Sequence, residues 1–344
     1  MVLINLAALP CAAMYRNIPP VLSAQELLEK AFSRANKATA RGSNRLVRER
    51  SLTDARLNSL SDTIISKLKV YIKMFPSLNR EARFEEAMID LVVGVDKLKH
   101  SLGALSWAAG TIGTINKDVR ARVKRTRDAE AVVKLRKEAY GRMSSVIKRI
   151  DGELSFLAEA REKMRDMPDI DPMLPTVVVA GAPNVGKSML VALLSTAKPK
   201  VASYPFTTKE IHVGVFTERR LRYQVLDTPG LLDRPLNQRN PIEKQAVLAL
   251  QYLPHTILFL VDPTEECGTT FEEQMAIFES LKSDFPRPEY IVAYGKKDLM
   301  ATPPGEMGVS ALTGDGVEEL RGILVENLFP LHEEIQRERM LEDV

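Results

Sequence analysis

The sequence is poor in the residues that build disulfide frameworks and metal sites. Its 344 residues include two cysteines, Cys11 and Cys267, and four scattered histidines. Two cysteines give no disulfide framework, and the histidines form no His/Cys cluster with metal-site spacing. We therefore expect a protein of a reducing compartment.

Long apolar runs are also missing. The first thirteen residues, MVLINLAALPCAA, lack the basic lead-in of a secretory signal and are far too short to cross a bilayer. We interpret residues 1–13 as a start-site extension, with Met14 as the natural beginning. Since no other uninterrupted apolar run is long enough to be transmembrane, the sequence predicts a soluble globular protein.

Charge is divided unevenly along the chain. Residues 14–175 contain 31 Lys and Arg against 21 Asp and Glu, a net charge of +10. Residues 176–344 contain 17 against 24, a net charge of −7. The two halves are therefore expected to face different partners.

A proline-rich segment, MRDMPDIDPMLPT at 164–176, accompanies this change of charge. Its three prolines cannot continue a helix, so we interpret it as a linker. The predicted parts are a domain at 14–170, a linker at 171–175, a domain at 176–328 and a charged tail at 329–344.

Before the linker, apolar residues recur with a helical period. One stripe runs from Leu57 to Phe75, a second from Met88 to Ile112 and a third from Ile147 to Met164. Small residues that would let helix backbones approach closely occur at 94, 103, 108–110 and 113. The pattern predicts a helical bundle.

After the linker, short β-rich runs alternate with helix-length segments. The strand candidates are TVVVAG, IHVGVF, RYQVLD, TILFLVD and EYIVAYG, which begin at 176, 211, 222, 256 and 289. The third, fourth and fifth are followed by helix-length segments. The chain is therefore predicted to be a multi-domain protein of the α plus α/β type, in which a helical bundle precedes a mostly parallel sheet.

The first strand leads into GAPNVGKS, which fits the P-loop pattern G-x-x-x-x-G-K-[ST] between a strand and a helix. Gly181 and Gly186 would let backbone amides turn toward phosphate oxygens. Lys187 would reach the outer phosphates, and Ser188 would supply an oxygen to Mg²⁺. The other predicted nucleotide-binding residues of this segment are Asn184, Val185 and Met189. The motif indicates a nucleoside triphosphate.

DTPG, at the end of the third strand, completes the phosphate side of this predicted site. The Asp227 carboxylate suits the magnesium shell. The Gly230 amide can meet the γ-phosphate and so sense its loss. A switch that responds to the γ-phosphate is therefore expected.

Two later motifs indicate GTP rather than ATP. In YGKKD, Lys296 can cover the base, and Asp298 can accept hydrogen bonds from guanine N1–H and N2–H₂. The usual pattern is N-K-x-D, and here Gly295 replaces the asparagine that ties the base-reading loop to the phosphate loop. Without this asparagine, weaker affinity for the nucleotide is expected. Relaxed selection between guanine and adenine remains an alternative. The last predicted base contacts, in VSALTGDG, are Ser310 and the backbone of Ala311 and Leu312.

These motifs, together with ASYPFTTKEIHVG at 202–214, closely resemble the Obg superfamily of translation-factor GTPases. Within it the sequence resembles the Nog family, the nucleolar GTP-binding protein of large-subunit ribosome assembly and its archaeal relatives. The resemblance extends from Met14 to about Leu328. The blocks that carry it are MYRNIPPV at 14, DLVVGVDKLKHSLGALSWAA at 90, RKEAYGRMSSVIKRID at 136, LDTPGLLDRPLNQRNPIEKQA at 226 and VDPTEECG at 261.

The resemblance implies a P-loop GTPase domain that uses GTP, GDP and Mg²⁺. It makes Thr208 the switch threonine, with Thr207 as its competitor. Leu231 stands where many switches carry a catalytic glutamine, so hydrolysis is expected to be slow without K⁺ or a ribosomal particle. Asn184 corresponds to an asparagine that coordinates K⁺ in potassium-activated relatives, although it could instead only cap the loop. The predicted catalytic residues are Lys187, Thr208 and Gly230.

Positive charge is densest at 116–142, where Arg120, Lys124 and Arg127 recur at i, i+4 and i+7. That spacing predicts one basic helix face, which is usually only solvated. The resemblance implies contact with large-subunit rRNA or a pre-ribosomal particle. No motif with stacked aromatics is present, so recognition of RNA shape and backbone is expected.

Two other functions remain open from the sequence. A GTPase with a helical domain can act at membranes, although no basic amphipathic helix with exposed Trp or Phe favours it here. A nucleotide-gated scaffold without turnover is the second alternative. We expect a monomer without a membrane partner, and the short C-terminal tail resembles archaeal family members, which implies a cytoplasmic location.

Overall fold

The chain forms two compact units. The computed structural model describes residues 15–76, 83–203, 210–228, 232, 247, 250–253 and 255–342. The helical unit takes the described residues of 15–78 and 93–165, and the α/β unit takes those of 79–92 and 166–344. The domain limits inferred from composition stay a prediction.

Six α-helices lie within the described residues before the linker. They are α1 (Ala24–Asn36), α2 (Arg45–Met74), α3 (Arg83–Val93), α4 (Val95–Arg125), α5 (Ala129–Arg149) and α6 (Asp151–Arg165). Ser23 forms a capping box with Glu26 at the start of α1, and the Asn44 side chain caps α2. The Asp128 carboxylate caps α5. Side-chain oxygens thus satisfy amides that have no partner inside these helices.

The predicted apolar stripes in α2, α4, α5 and α6 form the buried core of the helical unit. Leu57, Leu60, Ile64, Leu68 and Tyr71 of α2 are fully buried. The stripe from Met88 to Ile112 is divided between α3 and α4, because Gly94 adopts a left-handed φ of 80° that ends the first helix. The predicted helical bundle is confirmed.

The small residues of α4 do not all serve helix packing. A Cβ placed on Gly94, Gly103 or Gly110 would meet nothing within 4 Å, whereas one on Gly113 would meet only the Ile65 Cδ1 atom, at 3.8 Å. The expectation that these glycines let backbones approach closely is therefore wrong at the first three positions, where the surrounding space is open.

A seven-stranded sheet forms the centre of the α/β unit, in the order β2-β3-β4-β1-β5-β6-β7. The strands are β1 (Thr176–Ala180), β2 (Lys200–Ser203), β3 (Glu210–Glu218), β4 (Leu221–Asp227), β5 (Thr256–Val261), β6 (Glu289–Tyr294) and β7 (Met307–Gly308). Among the strand pairs of the described residues, β2–β3 and β3–β4 are antiparallel and the others are parallel. The predicted mostly parallel sheet is confirmed. The four-residue β2 and the two-residue β7 form its edges and lie outside the five strand candidates.

Among the described residues after the linker, three α-helices accompany the sheet: α7 (Lys187–Leu194), α8 (Phe271–Asp284) and α9 (Val317–Glu342). The last continues through Pro330. Because β4, β1, β5, β6 and β7 run parallel, their carboxyl ends meet at one edge, where ligands bind in open α/β sheets. Within the described part of the chain, no helix combines the length and apolar character needed to cross a membrane.

Candidate nucleotide-binding site

The loop between β1 and α7 requires glycine at both ends. Gly181 has a φ of 141°, and a Cβ there would lie 2.4 Å from the Leu260 carbonyl oxygen. Gly186 has a φ of 102° and caps α7 without a side-chain hydrogen bond. Only glycine adopts both conformations without strain, so the loop can turn its amides toward an anion at the start of the helix.

Lys187 is buried in this loop. Its ammonium donates hydrogen bonds to the carbonyl oxygens of Gly181, at 2.9 Å, and Ala182, at 2.6 Å. These contacts hold the positive charge against the loop instead of in solvent. The charge therefore lies beside the amides that can meet a phosphate.

Asn184 is exposed in the same loop and has a φ of 61°. Asparagine is one of the few residues that adopt this left-handed conformation readily. Its side chain makes no hydrogen bond within the residues that the structure describes, which gives no support to a capping role. Val185 is buried in the core of the sheet, whereas Met189 is half exposed on α7.

The Asp227 carboxylate, at the carboxyl end of β4, is fully buried. Its Oδ2 atom accepts a hydrogen bond from the Ser188 hydroxyl and lies 3.2 Å from His212 Nδ1. Its Oδ1 atom and the Thr228 hydroxyl are also buried, and neither has a hydrogen-bond partner among the described residues. A carboxylate and a hydroxyl are hard oxygen donors, so this arrangement fits Mg²⁺.

Sequence reasoning missed His212. It lies directly opposite Asp227 in the antiparallel register of β3 and β4. The alternation of β3 could have identified it only once that register was known.

The loops after β6 and β7 meet at the same edge of the sheet. The buried Ser310 hydroxyl donates a hydrogen bond to the Asp298 carboxylate. The Lys297 amide donates to the Val309 carbonyl oxygen, at 3.1 Å. Two of the predicted base-contacting side chains are thus in contact, and Asp298 keeps an exposed edge. Leu312 is 76% exposed.

Lys296 is held by carboxylates that sequence reasoning missed. Its ammonium lies 2.8 Å from the buried Asp262 Oδ2 atom and 3.1 Å from Glu266 Oε2. Burial raises the pKa of the Asp262 carboxyl, but hydrogen bonds from Lys296, Thr264 and the Cys267 amide outweigh it and hold the pKa below its ordinary value. The side chain of Lys296 therefore has a fixed position.

Gly295 lies where the loop after β6 faces residues 181–186, the predicted phosphate-binding loop. Its amide donates to the Val261 carbonyl oxygen, at 2.7 Å. A Cβ on Gly295 would lie 3.5 Å from the Val185 carbonyl oxygen, an ordinary contact. The position therefore has room for a Cβ atom beside the backbone of the other loop.

Four residues singled out from the sequence lie outside the described residues: Thr207, Thr208, Gly230 and Leu231. Their predicted roles in switching and hydrolysis stay predictions. The described site accordingly consists of the phosphate-binding loop, Asp227 and the loops after β6 and β7.

The predicted basic face at Arg120, Lys124 and Arg127 is not continuous. Arg120 forms two hydrogen bonds with the Asp54 carboxylate. Helix α4 ends at Arg125, and Arg127 lies in the turn before Asp128 caps α5. The prediction of one helix face is wrong for Arg127, because the chain turns to begin a new helix.

Comparison with protein families and relatives identifies the chain. A family model described as the NOG1 N-terminal helical domain matches residues 15–171, and one described as nucleolar GTP-binding protein 1 matches residues 241–298. An uncharacterized protein of Methanocaldococcus jannaschii is 38% identical over 290 residues, which cover 83% of this chain and 81% of that protein. The chain belongs to the NOG1 family. This confirms the resemblance seen in the sequence.

Eukaryotic members of the NOG1 family are longer. Nucleolar GTP-binding protein 1 of Saccharomyces cerevisiae is 30% identical over 289 residues, which cover 83% of this chain but 45% of that protein. The chain thus spans less than half the length of this relative. A Plasmodium falciparum crystal structure named for nucleolar GTP-binding protein 1 is 33% identical and covers 52% of this chain and 99% of its own, with a TM-score of 0.43.

A third family model, described as ferrous iron transport protein B, matches residues 175–266. It overlaps the phosphate-binding loop and Asp227, which is the part that P-loop GTPases share. The chain is thus a member of a GTP-binding NOG1 family with a P-loop GTPase fold, and the family implies GTP and GDP as its nucleotides.

Proposed function

We propose that this chain binds GTP, hydrolyses it to GDP and phosphate, and acts as a nucleotide-gated assembly factor of the large ribosomal subunit. One observation carries the nucleotide part of this proposal. The Ser188–Asp227 pair and the Asp298–Ser310 pair both form at the carboxyl edge of one parallel sheet. Phosphate and guanine contacts are thus available along the same edge.

Guanine selection is assigned to the loops after β6 and β7. The Asp298 carboxylate would accept hydrogen bonds from guanine N1–H and N2–H₂, while the Ser310 hydroxyl orients it. Lys296, fixed by Asp262, would cover one face of the base. Adenine offers no matching pair of donors, so an unpaired carboxylate would disfavour it.

Magnesium would be held by the Ser188 hydroxyl, the Asp227 carboxylate and the switch residue Thr208, and it would neutralise charge on the outer phosphates. Lys187 would exchange its loop carbonyls for phosphate oxygens. The amides of Gly186 and the first turn of α7 would orient the phosphate chain, and the Gly230 amide would sense the γ-phosphate.

Leucine at position 231 cannot polarise water, so hydrolysis must depend on charge stabilisation near the phosphates. We propose that the Asn184 amide oxygen helps to hold K⁺ beside the phosphate-binding loop. Such a cation would stabilise the charge that develops during phosphoryl transfer. Slow hydrolysis in Na⁺ and faster hydrolysis in K⁺ or on a ribosomal particle are expected.

The ribosomal part of the proposal is supported by the relatives named nucleolar GTP-binding protein and by the basic character of residues 14–175. A net charge of +10 favours a nucleic acid partner. We propose that the helical unit docks on large-subunit rRNA or on a pre-ribosomal particle. Because one relative is archaeal, we propose that the protein acts in the cytoplasm.

Gradient sedimentation with a non-hydrolysable GTP analogue or with GDP tests the proposal. The full chain should travel with immature large-subunit particles in one nucleotide state and stay at the top of the gradient in the other. Phosphate release should rise when particles are added. Nucleotide-dependent sedimentation without phosphate release would indicate a scaffold, and flotation with liposomes would indicate membrane work.

The Asp298→Asn variant provides a matched control for this experiment. XTP should restore both sedimentation and phosphate release to that variant, because an amide at position 298 can donate to the xanthine carbonyl. If GTP and XTP support the variant equally, the nucleotide does not act through this site.

A further inference from the structure

The only tryptophan of the chain lies in the middle of α4, and 45% of its surface is exposed. Tryptophan is highly buried on average in folded proteins, although its size means that it is rarely buried completely. The Arg149 guanidinium, at the end of α5, lies 5.2 Å from the centre of the Trp107 ring. The helical unit therefore presents an aromatic ring and a stacked cation on its surface.

Glycines flank this tryptophan along the helix. Gly103 and Gly110 lie at i−4 and i+3, the neighbouring positions on the same helix surface. A Cβ on either would meet nothing within 4 Å, so helix packing does not require glycine there. Glycine is nevertheless among the least favourable residues in a helix interior. Its effect at these positions is to leave the space beside the indole open.

Two surface hollows share Trp107. One, of about 460 Å³, is lined by Trp107 with His100, Gly103, Arg149 and Glu153. The other, of about 690 Å³, is lined by Trp107 with Gly110, Thr114, Arg142 and Ser145. The hollows carry small residues, hydroxyls and cations beside one large aromatic ring.

The charges of these hollows favour an anion. Arg149 has no carboxylate partner within the described residues. Arg142 has only a 3.7 Å contact with Asp118, and both side chains are about half exposed. Glu153 is the carboxylate that lines the hollow beside Arg149. Two guanidinium groups therefore remain available for phosphate.

A protein partner fits this face less well than RNA does. Trp107 is the only large apolar residue of α4 and α5 that is exposed, whereas protein interfaces place several buried apolar residues around an aromatic anchor. Unpaired RNA bases stack on single aromatic rings and on arginine planes, and their phosphates pair with nearby cations.

We propose that Trp107 and Arg149 form a stacking site for an unpaired base of single-stranded RNA, with Arg142 contacting an adjacent phosphate. This inference rests on the proposed function, in which the helical unit docks on rRNA. It assigns the contact to the α4–α5 face around Trp107. The expectation from the sequence was an RNA contact without stacked aromatics.

Intrinsic fluorescence gives a direct test, because Trp107 is the only tryptophan. Titration of the full chain with a short oligo(U) RNA should quench its emission, whereas a blunt RNA duplex of the same length at the same salt concentration should not. Only unpaired bases can stack on the ring. Quenching equal in both titrations, or absent from both, overturns the proposal.

Affinity measured by anisotropy of labelled oligo(U) completes the test. Trp107→Leu should weaken binding about tenfold, whereas Trp107→Phe, which keeps an aromatic face, should stay within about threefold of wild type. Arg149→Gln should also weaken the binding of oligo(U). Val70→Ala, at an exposed apolar position of α2, should not. Equal affinity of Trp107→Leu and wild type overturns the proposal, with circular dichroism confirming that the variant is folded.

Particle sedimentation separates this inference from the proposed function. If wild-type protein fails to sediment with large-subunit particles, the proposed function itself fails. If wild type sediments and Trp107→Leu loses sedimentation while it binds oligo(U) normally, the face contacts a protein and the stacking site is wrong. Parallel loss of oligo(U) binding and of sedimentation supports it.

Discussion

The two units of the chain treat charged side chains in opposite ways. The α/β unit buries three charged side chains, Lys187, Asp227 and Asp262. Among its described residues, the helical unit buries uncharged polar side chains only: Thr53, Ser61 and Ser101. Its described charged residues all keep some exposure, and several form ion pairs that are partly exposed. The Arg136–Glu49 pair is the least exposed of these, with 13% and 17% of the side chains accessible.

This contrast indicates where each unit binds its ligand. A buried charge is costly unless a partner compensates it, so buried charges at one sheet edge indicate a polar ligand there. Surface charges cost little and respond to salt. We therefore expect the α/β unit to bind through a few indispensable groups, and the helical unit to bind through many weak ones.

The largest effect is expected in the α/β unit, at Asp298. Asp298→Asn should weaken GTP binding about 100-fold, because two hydrogen bonds from guanine to a carboxylate are lost. The amide can donate to the xanthine carbonyl, so XTP binding should improve. Competition titration of GTP against XTP measures both changes.

Lys297→Asn is the control for that experiment, since its ammonium pairs with Asp315 next to the same loop. It should leave nucleotide preference unchanged. An unaltered preference for GTP in Asp298→Asn would remove this carboxylate from the site.

The second prediction concerns the cation and the left-handed residue of the phosphate-binding loop. Replacing Na⁺ by K⁺ at constant ionic strength should speed GTP hydrolysis by the wild type about tenfold, or ~1.4 kcal/mol in activation free energy. Asn184→Gly keeps the φ of 61° accessible but removes the amide, so it should abolish the difference. Phosphate release in the two salts is the measurement.

Asn184→Asp is the matched variant, because it keeps a side-chain oxygen at the same position. It should retain a response to K⁺. If the wild type hydrolyses GTP at equal rates in the two salts, Asn184 does not bind K⁺. Its role would then be only to adopt the left-handed backbone conformation.

Much of the α/β unit could be predicted because its contacts are local in sequence. The two glycines and Lys187 of GAPNVGKS lie within eight consecutive residues, and their predicted roles follow from that spacing. His212 and Asp262 could not be found in this way. Each depends on a register or a contact between distant segments, with Asp227 in one case and Lys296 in the other.

In the helical unit, the core could be predicted from the sequence and the surface contacts could not. Its apolar stripes predicted the core, because the helical period alone places Leu57, Ile64 and Leu68 on one face. Its surface could not be predicted by the same means. Arg120 pairs with Asp54, and Gly103 faces open space. Both facts depend on which helices become neighbours.

A smaller gain is expected from restoring the missing link between the two loops of the α/β unit. Gly295→Asn should tighten GTP binding about fivefold, or ~1 kcal/mol, by adding one hydrogen bond to the phosphate-binding loop. A Cβ fits there at 3.4–3.5 Å from its neighbours. Isothermal titration calorimetry measures the change. Gly295→Ala, which adds the Cβ alone, should bind GTP like the wild type.

The smallest effect is expected in the helical unit, where Arg120 and Lys124 should behave differently. The Arg120–Asp54 pair is more than one third exposed, so Arg120→Ala should lower the free energy of unfolding by only about 0.5 kcal/mol and leave rRNA affinity unchanged. Lys124 is exposed and has no ion pair within the described residues. Lys124→Ala should leave stability unchanged but reduce the log–log salt slope of rRNA binding by about one, because one phosphate contact is lost. Urea unfolding and binding titrations at several salt concentrations measure both quantities. A reduced salt slope in Arg120→Ala would mean that this guanidinium leaves Asp54 to contact RNA. Ion pairs on the surface of the helical unit would then break when RNA binds, and the folded structure alone would not identify the RNA-binding charges.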